Sequence, residues 1–545
     1  DLLFVAPTGE VDTLLPVALT KIIHNSPAEA ASTVDVWFAN FFKFIEDLDF
    51  RTAVGVTYLP TRFGLPLSIA PGDSESPADI LFDLPPVTLE DGQYNVLIAN
   101  GIPGDAETPF ELVLNTDTEV FAEDPANIDV TVFHGSPNAP AVDVRARDIG
   151  LDLIDSLDYS DFSAALGILP STYYLEVYPN GSEDLVATYE TELPDGLAGL
   201  SAIGIASGLV GEEPPLDLVF FPPFGPQSTP IFTATPVAQV QLIHNSPAPT
   251  VDVYANDGLL EDNFMFRTAT PFIDLPTRTD FTIDVAGEDS NSSADAIATF
   301  EGVRFDDGQK YTVMARGLVG DDNTPFGLDV FDMTQTSAAG DGTDLLLYHG
   351  SPDAPTVDVV VDGPGSVLFD DVSYTDFQGY VNVPAAEYQL NVTPGDDNNT
   401  IVKAYDADLS GLEGGAATVF ASGLLAETMG ETAFGVWVAL ADGTTFPLDE
   451  VVSTEEVADK FTAFQVAPNP VREIAQVQFT TTEPLNMVEE IRSLDGQLIR
   501  RSGIGTQPAG DHSREINATE LSAGVYTYTL VTELGTISKR FVVVK

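Results

Sequence analysis

Apolar and polar residues alternate over short runs through most of this chain, and no long stretch keeps a helical period. Val240, Leu242 and His244 alternate with Gln241 and Ile243, the period-two pattern of a half-buried strand. Ser-Pro, preceded by Asn or Gly, ends that strand in a turn, and Val251-Asp252-Val253-Tyr254 starts the next. Asp-Gly pairs at 91–92, 195–196, 307–308 and 442–443 are further turn signals. Turn-bounded strands of this length predict an all-β fold of immunoglobulin-like antiparallel β-sandwiches, with a jelly roll as the alternative.

The strand–turn–strand pattern occurs four times. Its copies carry His24 with Asp35, His134 with Asp143, His244 with Asp252 and His349 with Asp358. The histidines lie 110, 110 and 105 residues apart, a domain array and not a solenoid of short units. The expected organisation is an N-terminal arm at 1–16, β-sandwich modules at 17–122, 127–230, 237–337 and 342–448, an acidic linker at 449–460 and a small C-terminal β-sandwich at 461–545. The first and third modules share Phe-Arg-Thr-Ala and Leu-Pro-Thr-Arg, which hold Arg51, Arg62, Arg267 and Arg278. The second and fourth share Tyr159-Ser160-Asp161-Phe162 with Tyr374-Thr375-Asp376-Phe377. The unit of repetition is therefore a pair, A-B-A-B.

Charge narrows the functional classes. The net charge is −64, and from Lys460 onward nine basic residues balance nine acidic ones, so residues 1–459 carry all of it, with 12 basic and 76 acidic groups. Such a field repels nucleic-acid phosphates and anionic membranes. It is tolerable in a saline habitat, where the Debye length shrinks to about 3 Å at 1 M salt. A sharper reading of the Asp-rich loops is loose Ca2+ binding, although none has the ligand spacing of a calcium hand. There is no cysteine, hence no thiol catalysis, and no apolar run approaches a membrane span. The start at Asp1 reads as a mature chain whose export signal has been removed.

A hydrolase reading of His-x-Ser-Pro fails on chemistry. Nucleophilic catalysis needs one cleft with one oriented base, whereas here every module carries the set and Pro follows the Ser at once. The expected role of each His is a buried imidazole hydrogen-bonded to the turn or to the following Asp. One His and one Asp per module are too few for zinc. Arg51, Arg62, Arg267 and Arg278 are scarce cations in an acidic array. They read either as partners in salt bridges within their own module or as a grip on an acidic neighbouring module or subunit. In the arm, Leu2, Leu3, Phe4 and Val5 are apolar enough to add a strand to an exposed sheet edge of another subunit, or to fold back on the first module.

Two resemblances follow from these motifs. His-x-Ser-Pro with Val-Asp-Val, followed in the B modules by Tyr-x-x-Phe and by Pro170 or Pro384, resembles domain of unknown function 4397, over about 430 residues and most clearly in the second and fourth modules. It implies a secreted or surface β domain and brings no catalytic residues. Val466-Ala467-Pro468-Asn469-Pro470, Ile491-Arg492-Ser493-Leu494-Asp495-Gly496, Leu521-Ser522-Ala523-Gly524-Val525-Tyr526 and Lys539-Arg540-Phe541-Val542-Val543-Val544-Lys545 resemble the type A C-terminal sorting domain of the type IX secretion system. That resemblance implies export across a Gram-negative outer membrane and recognition of the tail by the secretion machinery. The expectation is a non-enzymatic cell-surface structural protein that partners itself in a fibre or surface layer. The alternative is an adhesin that binds surface glycans.

Overall fold

The computed structural model describes residues 16–223, 230–247, 249–362, 366–426, 432–451, 460–493, 498–522, 524–532 and 535–545, together with the backbone of 2–5 and 11–14. Arm residues 1, 6–10 and 15 and linker residues 452–459 lie outside the described residues. Nearly every regular element is a strand. The chain divides into two compact units. Unit one holds residues 1–239, 274–281 and 301–310, and unit two holds 240–273, 282–300 and 311–545.

In unit one the first module is a sandwich of two four-stranded sheets. One runs in the order Glu111–Asn115, Tyr94–Asn100, Val17–His24, Thr52–Pro60, and the other in the order Phe42–Asp49, Thr33–Phe38, Leu67–Pro71, Phe82–Asp83. Val34, Leu48, Leu59, Leu67 and Leu97 fill the space between them. The second module repeats the plan around Ile128, Val142, Leu157, Tyr189 and Phe220. A further apolar cluster joins the two: Ile23, Val96 and Ile98 from the first module meet Phe133, Ile203, Ile205, Val219 and Phe221 from the second. Ile22 thus faces its own core and Ile23 the neighbour. A strand buried on both faces needs apolar residues at consecutive positions, which is why Ile22-Ile23 breaks the alternation.

Unit two has the same logic. The fourth module packs around Leu345, Phe369, Leu390, Tyr405 and Val438. Ile243 and Met314 form a joint cluster with Tyr348, Phe420 and Ala439. The C-terminal domain has a core of its own, from Phe461 to Val543, between a three-stranded and a four-stranded sheet.

The ladders are antiparallel with one recurrent exception. The strand bearing the histidine pairs parallel with a late strand: Val17–His24 with Tyr94–Asn100, Ile128–His134 with Ser201–Ser207, and Thr343–His349 with Ala416–Ser422. A period of two records which residues face inward but not the direction of the neighbouring strand.

Candidate functional site

The histidine motifs are hydrogen-bonded into the turns that follow them. Nε2 meets a backbone carbonyl of the following turn in every module: Ala31 at 2.6 Å from His24, Pro140 at 2.9 Å from His134, Pro249 at 3.0 Å from His244 and Pro355 at 3.1 Å from His349. A carbonyl only accepts, so Nε2 carries the proton and Nδ1 is left as the acceptor. In the A modules Nδ1 takes the backbone N–H of Ser26 (3.5 Å) and Ser246 (3.3 Å). Burial holds all four imidazoles below their ordinary pKa, and His244 falls to about 4. Three of the motif serines donate to the carbonyl of a glycine, Gly101, Gly317 or Gly423, and not to a histidine. These motifs therefore hold no base–nucleophile pair.

Each Val-Asp-Val aspartate secures a β-bulge. The strand after it shifts register, and one bulge residue adopts positive φ: Asp47, Ser156, Asn263 or Asp371. Its backbone N–H donates to Asp35 (2.9 Å), Asp143 (2.8 Å), Asp252 (2.9 Å) or Asp358 (2.6 Å) respectively. Burial alone would raise the Asp35 and Asp252 carboxyls, but their hydrogen bonds outweigh it and hold both below the usual range. The histidines thus bond to the turn and the aspartates to the bulge, not to each other.

The arginines divide into two pairs. Arg51 and Arg267 have positive φ, and their N–H groups donate to the carbonyls of His24 (2.9 Å) and His244 (2.7 Å). Ser160 and Thr375 hold the same place in the B modules, bonded to His134 and His349. The Arg51 side chain enters the second module. Nε reaches Ser207 Oγ at 3.0 Å, Nη2 the carbonyls of Ser207 (2.7 Å) and Pro215 (2.6 Å), and Nη1 the Asp217 carboxylate. Arg267 does the same in the fourth module, with Ser422 Oγ at 2.9 Å, the carbonyls of Ser422 and Ala433, and the Trp437 ring 5.1 Å away. There Gly435 occupies the position of Asp217, and burial lowers the Arg267 guanidinium to about 10. Gly208 and Gly423 make room for these side chains. A Cβ on either would lie 2.6 Å from an arginine Nη2.

The second pair sits elsewhere. Arg62 forms an ion pair with Asp91 of its own module. Arg278, within unit one, pairs with both Asp307 and Asp217, the latter at 2.6 Å. Arg51 and Arg278 therefore share one carboxylate. Leu2–Val5 pairs antiparallel with Val11–Leu14.

Sequence reasoning passed over one signal. The A motifs read His-Asn-Ser-Pro and the B motifs His-Gly-Ser-Pro. Asn25 Nδ2 donates to the Gly135 carbonyl at 3.0 Å, and a Cβ on Gly135 would lie 2.1 Å from that nitrogen. Asn245 stands likewise against Gly350. The Asn/Gly difference thus marks which motifs face each other.

In the C-terminal domain Asn469 accepts from Val542 N at 2.8 Å and donates to the Arg540 carbonyl at 3.2 Å, tying Pro-Asn-Pro to the closing strand. Among the described residues no group of three or more His, Asp or Glu is placed to hold a metal ion. No helix there is long and apolar enough to cross a membrane.

Residues 18–145, 238–346 and 343–444 match the family described as Domain of unknown function (DUF4397), together more than half of the chain. The match embraces both Arg-bearing modules and leaves most of the second module outside, whereas the motifs alone placed it most clearly in the second and fourth. Residues 465–544 match the Secretion system C-terminal sorting domain. No curated protein matches. Among solved structures the chain is similar to dimeric latent PorU from Porphyromonas gingivalis, at 13% identity and TM-score 0.14, covering 75% of this chain and 35% of that one, about a third of its length. It is also similar to PorZ, a surface component of the type-IX secretion system of the same organism, at 10% identity and TM-score 0.14, covering 93% and 87%. A third is the Bacillus anthracis TIE protein, at 9% identity and TM-score 0.11, covering 74% of each chain.

Proposed function

The chain belongs to the DUF4397 family and ends in a type IX sorting domain that directs it to the cell surface or extracellular space of Bacteroidetes, and from that premise we propose that it is a non-catalytic structural protein, a self-assembling subunit of a fibre or surface layer. One observation carries this reading: the polar groups of the repeated motifs are consumed in holding turns, bulges and module pairs. The His imidazoles are bonded to turn carbonyls, the Asp carboxylates to bulge amides, and Arg51 and Arg267 to partner modules. A surface of dense negative charge keeps such material hydrated in salt. Negative-stain imaging and sedimentation of the purified chain test the reading. Filaments or sheets are expected, and a chain that stays monomeric from low to molar salt refutes it.

A second reading, a glycan-binding surface protein, has one observation in its favour. Unit one contains a cleft of about 640 Å³ lined by Glu212, Glu213, Arg278, Arg304 and Asp306, a mixture of cations and carboxylates suited to sugar hydroxyls. Glycan binding lost in Glu212→Gln and Arg304→Ala, by a monomeric chain, would favour it.

A further inference from the structure

We propose that the array has two complementary ends, and that the first module of one copy docks on the fourth module of another by repeating a contact that unit one already makes internally. The proposal rests on the self-assembly reading and names its surfaces.

The internal contact is a strand edge. Ala187–Leu193 pairs with residues 235–237, Thr188 opposite Val237 and Tyr189 opposite Pro236. Around it Thr277 N donates to Pro236 O at 3.0 Å and Gly308 N to Val237 O at 3.0 Å. Arg278 pairs with Asp307 and reaches across to Asp217 and the Leu216 carbonyl. The approach is close: a Cβ on Gly308 would lie 2.8 Å from Ala187 Cα.

The first module carries the same cluster, at an edge whose apolar residues Val17, Tyr58 and Phe63 are exposed. Thr61 N donates to Pro16 O at 3.1 Å, Gly92 N to Val17 O at 3.3 Å, and Arg62 pairs with Asp91. Among the described residues nothing lies within 4 Å of a Cβ on Gly92. Val17 is 43% exposed where Val237 is 0% exposed. Tyr58 and Phe63, also exposed, replace Asp274 and Thr279 at the flanks. Apolar side chains stand in water there, at a cost of about 25 cal/mol per Å².

The fourth module offers the matching edge. Lys403–Asp408 corresponds to Ala187–Leu193, and Asp449–Glu450 lies on it as 235–236 lies on its counterpart, with Val451 N bonded to Ala404 O at 2.7 Å. Ile401 and Val402 are 52% and 54% exposed where Leu185 and Val186 are half-buried. Lys403, which pairs with Glu450 at 2.7 Å, takes the position of Ala187, which meets Gly308; in the docked copy, with Glu450 displaced, it faces Asp91-Gly92 and pairs with Asp91 instead. Residues 16–17 of the incoming copy take the edge that 449–451 hold, so the short ladder of 449–451 and the Lys403–Glu450 pair are given up for the new contact. The two surfaces differ, so the contact is heterologous and propagates as a fibre unless its rotation closes a ring.

Val17→Asp disables one end and Ile401→Asp the other, both at exposed positions. The full chain, and the same chain after proteolytic removal of the separately cored sorting domain, are followed by mass photometry and electron microscopy. Unsubstituted chain is expected to form filaments, each variant alone to stay monomeric, and an equimolar mixture of the two to stop at pairs. Filaments from both variants would overturn these surfaces and leave self-assembly standing. Variants that are monomeric alone and remain so when mixed would overturn the pairing of these two ends. Unsubstituted chain that never assembles, with or without its tail, overturns this proposal together with the reading beneath it.

Discussion

Lys21 lies on the strand Val17–His24 with its side chain at the contact between the first two modules, 0% exposed, and its ammonium has no hydrogen-bond partner among the described residues. The third module has Gln241 there, whose amide donates to the carbonyls of Thr270 (3.0 Å) and Leu440 (2.7 Å). Burial lowers the lysine from 10.5 to about 8. That displacement corresponds to about 3 kcal/mol, an upper figure for the cost of holding the charged form in the fold. The folded protein releases this proton more readily than the unfolded chain. Between about pH 8 and 10.5 the unfolded state therefore binds more protons, and stability rises with pH across that window. Below pH 8 the whole penalty is present. Lys21→Met keeps the volume and removes the charge, so it should stabilise the first module pair by about 1–3 kcal/mol at pH 7, roughly 2–10 °C in Tm for a unit of that size. Differential scanning calorimetry at pH 7 and pH 10 measures both effects. The variant should melt higher at pH 7, and the gap should narrow at pH 10. A variant that melts lower, or a gap that ignores pH, would refute the reasoning.

Gly208→Ala should destabilise the same pair by about 2 kcal/mol or more, because its Cβ would lie 2.2 Å from Pro215 O and 2.6 Å from Arg51 Nη2; unchanged chemical denaturation would contradict this. Arg51→Ala leaves buried acceptors unpaired and should cost about 3 kcal/mol, read in the same assay, with a loss under about 0.5 kcal/mol as the contrary result. The four lowered histidines make the folded state bind fewer protons than the unfolded one as pH falls below about 6.5, down to about pH 4 for His244, so Tm should fall as pH drops below 6.5; a flat profile there would remove the argument. Tm should also rise from low to molar salt as repulsion within the array is screened, and a Tm insensitive to salt would count against it.

The strands and their inward faces were legible because period-two alternation directly encodes burial, and the fourfold His and Asp pattern located equivalent positions in every module. The partner of each His and Asp was less legible. Turn carbonyl and bulge amide are backbone groups, and no side-chain pattern announces them. Arg51 and Arg267 drew notice by scarcity in an acidic chain, yet their positive φ was not readable, since arginine is not a residue that favours that region. Nothing in the sequence around Lys21 sets it apart. Only the geometry of the pair shows that it faces a neighbour and not solvent.

The reciprocity between the first two modules bears on how such arrays grow and shrink in evolution. Arg51 of the first reaches Asp217 of the second, and Ser160 of the second, at the position equivalent to Arg51, reaches Glu111 of the first at 3.4 Å. Such mirrored contacts are what a symmetric dimer would leave behind once its two halves were joined in one gene and diverged. A duplication or deletion that moved a single module would leave one of these apolar faces open to water and one arginine without its cradle. Arrays of this kind are therefore expected to change length by two modules at a time, and a natural relative with an odd number of modules should carry a resurfaced, polar face at the unmatched position.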